Sequence, residues 1–187
     1  MHSVFEKGTT MIALKEFMLP IKGLRQEHYK FGFQLDKSFF SCFESSVIAD
    51  GDIAVSLVLD NHPGFFKLKF DFEGTVNTEC DRCLANINLP VEGAAKLIVK
   101  YSEEEQEDND EIVFIHPDTP VFDVSPYILE YVSLAIPITR TYDCEDDENP
   151  PCDFELLKKI SGSSDFAPNQ EEEENALGSQ LKDINLS

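Results

Sequence analysis

Two cysteines, Cys80 and Cys83, stand three positions apart within residues 74–91, and they are the clearest chemical signal in the chain. A Cys-x-x-Cys pair can place both sulfur atoms on one side of a tight turn, where they share a tetrahedral metal ion or close a small disulfide. Apolar and polar residues alternate before and after the pair, which predicts a strand on each side of a cysteine turn. This setting favours a zinc knuckle, because nothing after Cys83 indicates the helix that a thioredoxin-like redox pair requires.

A structural zinc site needs four ligands, and Cys144 and Cys152 are the candidates for the second pair. Their separation is wider than the two to four residues that usually lie between paired zinc ligands. Two interpretations stay open: the four cysteines bind one zinc ion, or they are partly buried thiols without metal. If Cys80, Cys83, Cys144 and Cys152 share zinc, the turn after Cys80 must lie against the loop that follows a predicted helix ending at Ile136.

A thiol redox function for Cys80 and Cys83 is the alternative chemistry. It requires a thiol whose pKa lies below the ordinary value, so that the thiolate forms near neutral pH. The carboxylates of Glu79 and Asp81 flank the pair and are expected to raise the pKa, with only Arg82 opposing them. The flanking charges therefore disfavour a redox function.

The elements that must position the cysteines are mostly predicted strands. Alternating apolar residues predict strands over residues 28–36, 53–59, 65–72, 95–101 and 112–115, with a turn at residues 50–52. Residues 17–21 predict a short edge strand, and residues 37–46 a short helix. Ser125 and Pro126 form a helix-start signature, as cap and first helical residue, for a helix over residues 127–136 whose apolar stripe must pack on the sheet.

These patterns predict an α+β fold: a mainly antiparallel sheet or partly open barrel with two or three short helices, the helix from Tyr127 to Ile136 packed on the sheet. A chain of 187 residues is long enough for one domain with its own core. We expect an N-terminal extension over residues 1–10, a single domain over residues 11–160 and an acidic tail over residues 161–187.

The net charge limits the kinds of molecule that the protein can bind. The formal charge is −21 at pH 7, and it is uneven: residues 1–42 carry +2 and the rest of the chain −23. Such a protein is repelled by RNA at long range and suits a basic partner. Two lysines, Lys67 and Lys69, share the solvent face of a predicted strand, where they either contact phosphate or keep the sheet soluble. With Arg82 they are the candidate RNA-binding residues.

Several functions are disfavoured by what the sequence lacks. It has no phosphate-binding glycine loop and no nucleophile-elbow motif, and its four histidines are scattered. Its carboxylates lie in hydrophilic runs rather than in apolar pockets that tune general acids, so we predict that the protein is not an enzyme. It also lacks an uninterrupted apolar run of membrane-spanning length and an apolar leader, so we expect a cytoplasmic protein without a membrane partner.

The cysteine motif and its flanking segments resemble the YceD family of bacterial and plastid proteins. The resemblance rests on the run from Cys80 through Asp81, Arg82 and Cys83 to Leu84 and on the segments around it, which carry Leu14, Phe17, Pro20, Gly23, Pro90, Val91, Leu134, Pro137, Cys144 and Cys152. It covers about residues 11–159. It implies an accessory role in the accumulation or processing of large-subunit ribosomal RNA, with that RNA or a basic ribosomal protein as partner. Many members carry two Cys-x-x-Cys-like pairs in the second cluster, whereas here only Cys144 and Cys152 remain.

Overall fold

The computed structural model describes residues 14–44, 46–104, 106–109, 111–143 and 150–162. The predicted extension over residues 1–10, most of the predicted tail, and Cys144 lie outside the described residues. A 3-10 turn at Lys15–Phe17 precedes the first strand. The strands are β1 (Met18–Pro20), β2 (His28–Leu35), β3 (Asp50–His62), β4 (Phe65–Glu79), β5 (Asn86–Tyr101), β6 (Ile112–Ile115) and β7 (Val121–Asp123). The helices are α1 (Lys37–Phe40), α2 (Ser125–Ala135) and α3 (Phe154–Gly162).

Five strands form one mixed sheet in the order β2-β3-β4-β5-β6. The first four are antiparallel neighbours, and β6 runs parallel to the end of β5. Strands β1 and β7 pair separately as a two-stranded antiparallel ribbon. The fold is therefore α+β and mainly antiparallel, as predicted, and the sheet is open, with β2 and β6 at its edges, rather than closed into a barrel.

One face of the five-stranded sheet carries the core. Alternate residues along each strand point to this face, and Leu57, Phe66 and Leu97 on it are almost completely buried. Helix α2 packs here through Ile128 and Val132, as the apolar stripe predicted. The ring of Phe122 on β7 meets that of Phe66 with centroids 5.8 Å apart, so the ribbon covers the same face. The opposite face of the sheet stays open to solvent.

Strands β4 and β5 are longer than the pattern predicts, because each joins two predicted strands. In β4 the join is Gly74, whose φ of +158° and missing side chain let β3 approach: a Cβ there would lie 2.2 Å from the Asp52 carbonyl oxygen. In β5 the join contains Pro90, which lacks the N–H needed in a central ladder. It is tolerated because β6 pairs only with the last four residues of β5. Strand β4 ends at the cysteine turn, and β5 begins after it.

Three local predictions were wrong in detail. Residues 50–52 begin β3 instead of forming a turn, since they pair with residues 75–77 of β4. Helix α1 ends at Phe40 rather than near residue 46. Helix α2 begins at Ser125, so Ser125 is a helical residue and not the cap: the N-cap is Val124, whose side chain makes no capping hydrogen bond.

The chain divides into two compact units, residues 1–152 and 153–187. The described part of the second unit is α3, a short amphipathic helix. The domain boundaries themselves stay a prediction. Within the described residues, no helix is long and apolar enough to cross a membrane.

Candidate functional site: the cysteine turn and the open sheet face

The cysteine turn joins β4 to β5 and is held by backbone hydrogen bonds. The Cys80 amide donates to the Ala85 carbonyl at 2.8 Å, and the Leu84 amide donates to the Cys80 carbonyl, also at 2.8 Å. Leu84 closes the turn with a φ of +57°, a left-handed conformation that glycine adopts far more readily than leucine. The predicted arrangement of two strands joined by a turn that carries both cysteines is confirmed.

Both sulfur-bearing residues are buried: Cys80 is 0% and Cys83 1% exposed. Burial by itself raises the pKa of the Cys80 thiol. Hydrogen bonds to its sulfur from the amides of Tyr142, Arg82 and Cys83, and from the Cys83 side chain, outweigh burial and lower the pKa to about 7. The turn therefore favours the thiolate form of Cys80, which is the form that binds metals.

The prediction that the flanking carboxylates raise the thiol pKa was wrong for Cys80. It ignored the hydrogen bonds from backbone amides and the partner of Asp81. The Asp81 carboxylate accepts the Arg140 amide at 2.7 Å and the Arg140 guanidinium at 3.0 Å. These two hydrogen bonds, the backbone one first, lower the pKa of Asp81, so its charge is neutralised by Arg140 rather than directed at the thiol.

The segment after α2 lies against the cysteine turn. In addition to the bonds on Asp81, the Asp81 amide donates to the Arg140 carbonyl at 2.7 Å, and the Arg140 guanidinium donates to the Thr78 hydroxyl at 3.1 Å. The Tyr142 amide reaches the Cys80 sulfur. The zinc hypothesis requires this juxtaposition of distant segments, and the structure shows it. Arg140 was missed in the sequence, although it is the last basic residue before the acidic run that starts at Asp143.

The structure assembles half of the predicted zinc site. Cys80 and Cys83 share the turn, and the amide hydrogen bonds to the Cys80 sulfur fit a thiolate ligand. Cys152 is buried, at 8% exposure, and is disulfide-bonded, so it offers a thiolate only after reduction. Cys144 lies outside the described residues. Among the residues described, no group of three or more His, Cys, Asp or Glu is placed to hold a metal ion.

Lys67 and Lys69 lie on the open face of the sheet, as predicted, at alternate positions of β4. The Lys69 ammonium contacts the Asp60 carboxylate at 2.7 Å, and the His28 ring nitrogen contacts the same carboxylate at 2.7 Å. These bonds, that of Lys69 first, lower the pKa of Asp60, which is 7% exposed. Lys69 is therefore partly neutralised by a neighbour, whereas Lys67 has no carboxylate within 4.0 Å among the residues described.

Arg82 does not join these lysines. It lies in the cysteine turn beyond the last residue of β4, and ten strand residues between Lys69 and Glu79 span roughly 33 Å. The predicted RNA-binding set is thus split between two ends of the molecule. Strand pairing instead places other lysines on the same face as Lys67 and Lys69: Lys96 and Lys100 on the adjacent strand β5, and Lys30 on β2, with β3 between it and β4. Alternation along each strand, once the strands are aligned, is the signal that finds them.

The half of the open face nearer the cysteine turn is acidic. Here a shallow groove of about 650 Å³ is lined by small residues, Ala54, Ser56, Gly93 and Ala94, and by acidic residues that include Asp71, Glu73 and Glu92. The groove continues toward Asp52. We call this the acidic groove, and the lysine-bearing half the basic half. The open face thus offers two surfaces of opposite charge.

A family model described as "Large ribosomal RNA subunit accumulation protein YceD" matches residues 68–184. That range covers more than half of the chain, and it includes the cysteine turn and the segment that Arg140 holds against it. The chain belongs to the YceD family. The resemblance inferred from the cysteine motif is thereby confirmed at the level of the family. No curated protein and no solved structure matches.

Proposed function

We propose that this YceD-family protein is a non-enzymatic accessory factor in large ribosomal subunit biogenesis, which supports the accumulation or processing of large-subunit rRNA. The observation that carries the proposal is the family match over residues 68–184, whose description names rRNA accumulation and no reaction. The absence of a reaction in that description is matched by a site built for position: Arg140 joins the segment after α2 to the cysteine turn by hydrogen bonds to Asp81 and Thr78, an arrangement that suits a binding scaffold.

Deleting the gene tests this function. We expect the ratio of large-subunit to small-subunit rRNA to fall and precursors of the large-subunit rRNA to accumulate, with both effects reversed by the wild-type gene on a plasmid. An unchanged ratio together with normal subunit profiles in a sucrose gradient would exclude the proposed function.

The acidic groove favours a second candidate, a module that holds a basic ribosomal protein. Carboxylates beside small residues leave room for lysine and arginine side chains of an extended segment. In this case a pull-down retains a basic ribosomal protein after ribonuclease treatment, and the interaction weakens between low and physiological salt because screening shortens the reach of charges. Glu73→Gln with Glu92→Gln should lose the partner, whereas Glu103→Gln with Glu104→Gln, an equal change of charge in an exposed loop, should retain it.

A redox role for Cys80 and Cys83 remains a third hypothesis. The pKa of about 7 removes the charge objection, but reactive thiols are partly exposed, and Cys80 is 0% exposed. We therefore expect no turnover in an insulin-reduction assay. Turnover that disappears in Cys80→Ser would establish the redox role instead.

A further inference from the structure

Five lysines meet on the basic half of the open sheet face. Strand register places Lys30, Lys69 and Lys96 in one row across β2, β4 and β5, with Val58 of β3 between the first two. Lys67 lies two positions along β4 from Lys69, and Lys100 lies four positions along β5 from Lys96. Adjacent strands are about 4.8 Å apart and alternate residues about 6.7 Å, so Lys69 stands roughly 5 Å from Lys96 and roughly 7 Å from Lys67. Lys30 and Lys100 stand roughly 8–10 Å from the nearest lysine, because Lys30 is two strands away from Lys69 and Lys100 is diagonal to Lys67.

Most of this positive charge is uncompensated. Lys69 contacts Asp60, but Lys30, Lys67, Lys96 and Lys100 have no carboxylate within 4.0 Å among the residues described. The face is also uncovered, because Ser56, Ala94 and Lys96 are exposed although they lie on the inner strands β3 and β5, and Lys30 is exposed on the edge strand β2. Four available ammonium groups on one surface are unusual in a chain with a net charge of −21.

Aromatic rings border the lysines. His62 and Phe65 face each other across the β3–β4 hairpin with ring centroids 4.8 Å apart and planes at 23°. Phe65 is paired in register with Lys100, and Lys100 with Phe114 of β6, so the rings share the lysines' face. Cations along a path with aromatic rings beside it are the features by which proteins hold single-stranded nucleic acid.

We propose that the basic half binds a single-stranded segment of RNA, with backbone phosphates on Lys30, Lys67, Lys96 and Lys100 and a base stacked on Phe65. The proposal rests on the proposed function and specifies its partner as RNA contacted directly. Charge complementarity selects this occupant, since an RNA strand presents one negative charge per nucleotide along a flexible path that matches closely spaced lysines. The acidic remainder of the protein confines the RNA to this half of the face.

Two triple variants of the full chain test the surface. The face variant carries Lys67→Gln, Lys96→Gln and Lys100→Gln; the control carries Lys15→Gln, Lys22→Gln and Lys37→Gln, which lie outside the open face. Both lose the same charge, so any long-range repulsion of RNA is equal in the two proteins. Fluorescence anisotropy with a labelled single-stranded RNA of about 12 nucleotides, at several salt concentrations, measures binding.

We expect the face variant to bind about tenfold or more weakly than the control at low salt, and the slope of log K against log salt to be smaller by about 2, since each phosphate contact contributes about 0.7. Phe65→Ile, which keeps a strand-forming residue, should weaken binding about fivefold or more through lost stacking. Equal loss in the face variant and the control would overturn the proposal, as would the absence of binding by the wild-type protein.

A variant of the acidic tail tests whether the tail, rather than RNA, occupies the basic half. The tail variant replaces four glutamates by glutamine: Glu171→Gln, Glu172→Gln, Glu173→Gln and Glu174→Gln. The proposal is wrong if the wild-type chain does not bind RNA, the tail variant does, and adding the face substitutions to the tail variant abolishes this RNA binding. In that case the acidic tail occupies the lysines. A complementation assay separates this failure from that of the proposed function. If deletion lowers the rRNA ratio and the face variant restores it fully, RNA docking on this face is excluded while the proposed function stands.

Discussion

Leu84 is the residue at which local backbone preference and the observed turn disagree. Its φ of +57° costs a residue with a side chain about 1–2 kcal/mol relative to the right-handed region, and its side chain, 64% exposed, gains little from burial in return. Leu84→Gly should therefore raise the free energy of unfolding by about 0.5–1 kcal/mol, after the greater backbone entropy of glycine is subtracted. Urea unfolding at neutral pH measures the change.

The neighbouring residue provides the control. Ala85 has no positive φ, so Ala85→Gly should lower the free energy of unfolding by about 0.5–1 kcal/mol. Destabilisation by Leu84→Gly of the same size as by Ala85→Gly would show that Leu84 is held by contacts and not strained.

At the residue scale, zinc binding by Cys80 and Cys83, with Cys144 and Cys152 completing the site, is one of the two interpretations that the sequence leaves open, and its consequences can be measured. We expect protein purified under reducing conditions without a histidine tag to contain about one zinc ion per chain by elemental analysis. Cys83→Ser should abolish the metal, whereas Cys42→Ser should retain it, because Cys42 lies beside α1, where its thiol hydrogen-bonds the Ser38 carbonyl.

Removal of the metal by a chelator is an independent test of zinc binding. The binding free energy of a structural zinc ion adds to the free energy of folding, so a chelator should lower the melting temperature and expose the segment around Arg140 to hydrogen exchange. A metal-free, fully folded protein in which all five cysteines titrate as thiols after reduction would mean that the cysteines do not bind a metal ion.

The residue types of the cysteine turn were predictable from the sequence, but its electrostatics were not. Spacing identified Cys80 and Cys83, and alternation identified the strands on either side. The thiol pKa depends on amide groups, including that of Tyr142, whose position is fixed only when the distant segment docks. Charges counted along the chain gave the wrong direction because Asp81 is paired with Arg140, which the sequence places 59 positions away.

At the scale of elements, the pairing of β3 with β4 creates a titratable contact on the open face. The Lys69 and His28 hydrogen bonds lower the pKa of Asp60 below its unfolded value of about 3.9. A carboxylate with a depressed pKa stabilises the fold above that unfolded pKa and loses this contribution as pH falls through the folded pKa. Asp60→Asn should therefore cost about 1–2 kcal/mol at pH 7, at the low end because Lys69 is 44% exposed, and progressively less as pH falls below the unfolded pKa of about 3.9.

Thermal unfolding of the wild type and Asp60→Asn across pH 3 to 7 checks this dependence. Asp118→Asn is the matched control: Asp118 pairs with Lys22 at 3.7 Å, but both side chains are more than 60% exposed, so its effect should be close to zero at every pH. A pH-independent cost of Asp60→Asn would assign the effect to packing rather than to charge.

The sequence predicted strands better than it predicted their lengths. Alternation at period two found every strand of the large sheet, because half-buried strands must alternate. It divided β4 and β5 at Gly74 and Pro90, since these residues normally interrupt strands, and only the pairing partners explain why they do not. Helix α1 ends at Phe40, and the next hydrogen bonds, from the Cys42 amide to the Phe39 carbonyl and from the Phe43 amide to the Phe40 carbonyl, are of the i to i−3 type of a 3-10 turn.

At the scale of the whole molecule, the net charge of −21 should make stability depend on ionic strength. Like charges repel in the compact state, and the Debye length falls from about 30 Å at 0.01 M to about 8 Å at 0.15 M, so salt should relieve the repulsion. Pairs such as Asp60 and Lys69 are weakened by the same screening, but this pair is shielded because Asp60 is buried.

The melting temperature should therefore rise with salt, by roughly 2–4 °C for each 1 kcal/mol of repulsion removed in a chain of this length. Scanning calorimetry between about 0.01 and 0.15 M ionic strength measures it. Sodium chloride and potassium chloride should give the same rise, because screening depends on ionic strength and not on the identity of the cation. A melting temperature that falls as salt is added would mean that attractive pairs outweigh the net charge, and that the acidic surfaces are stabilised by cationic partners within the chain.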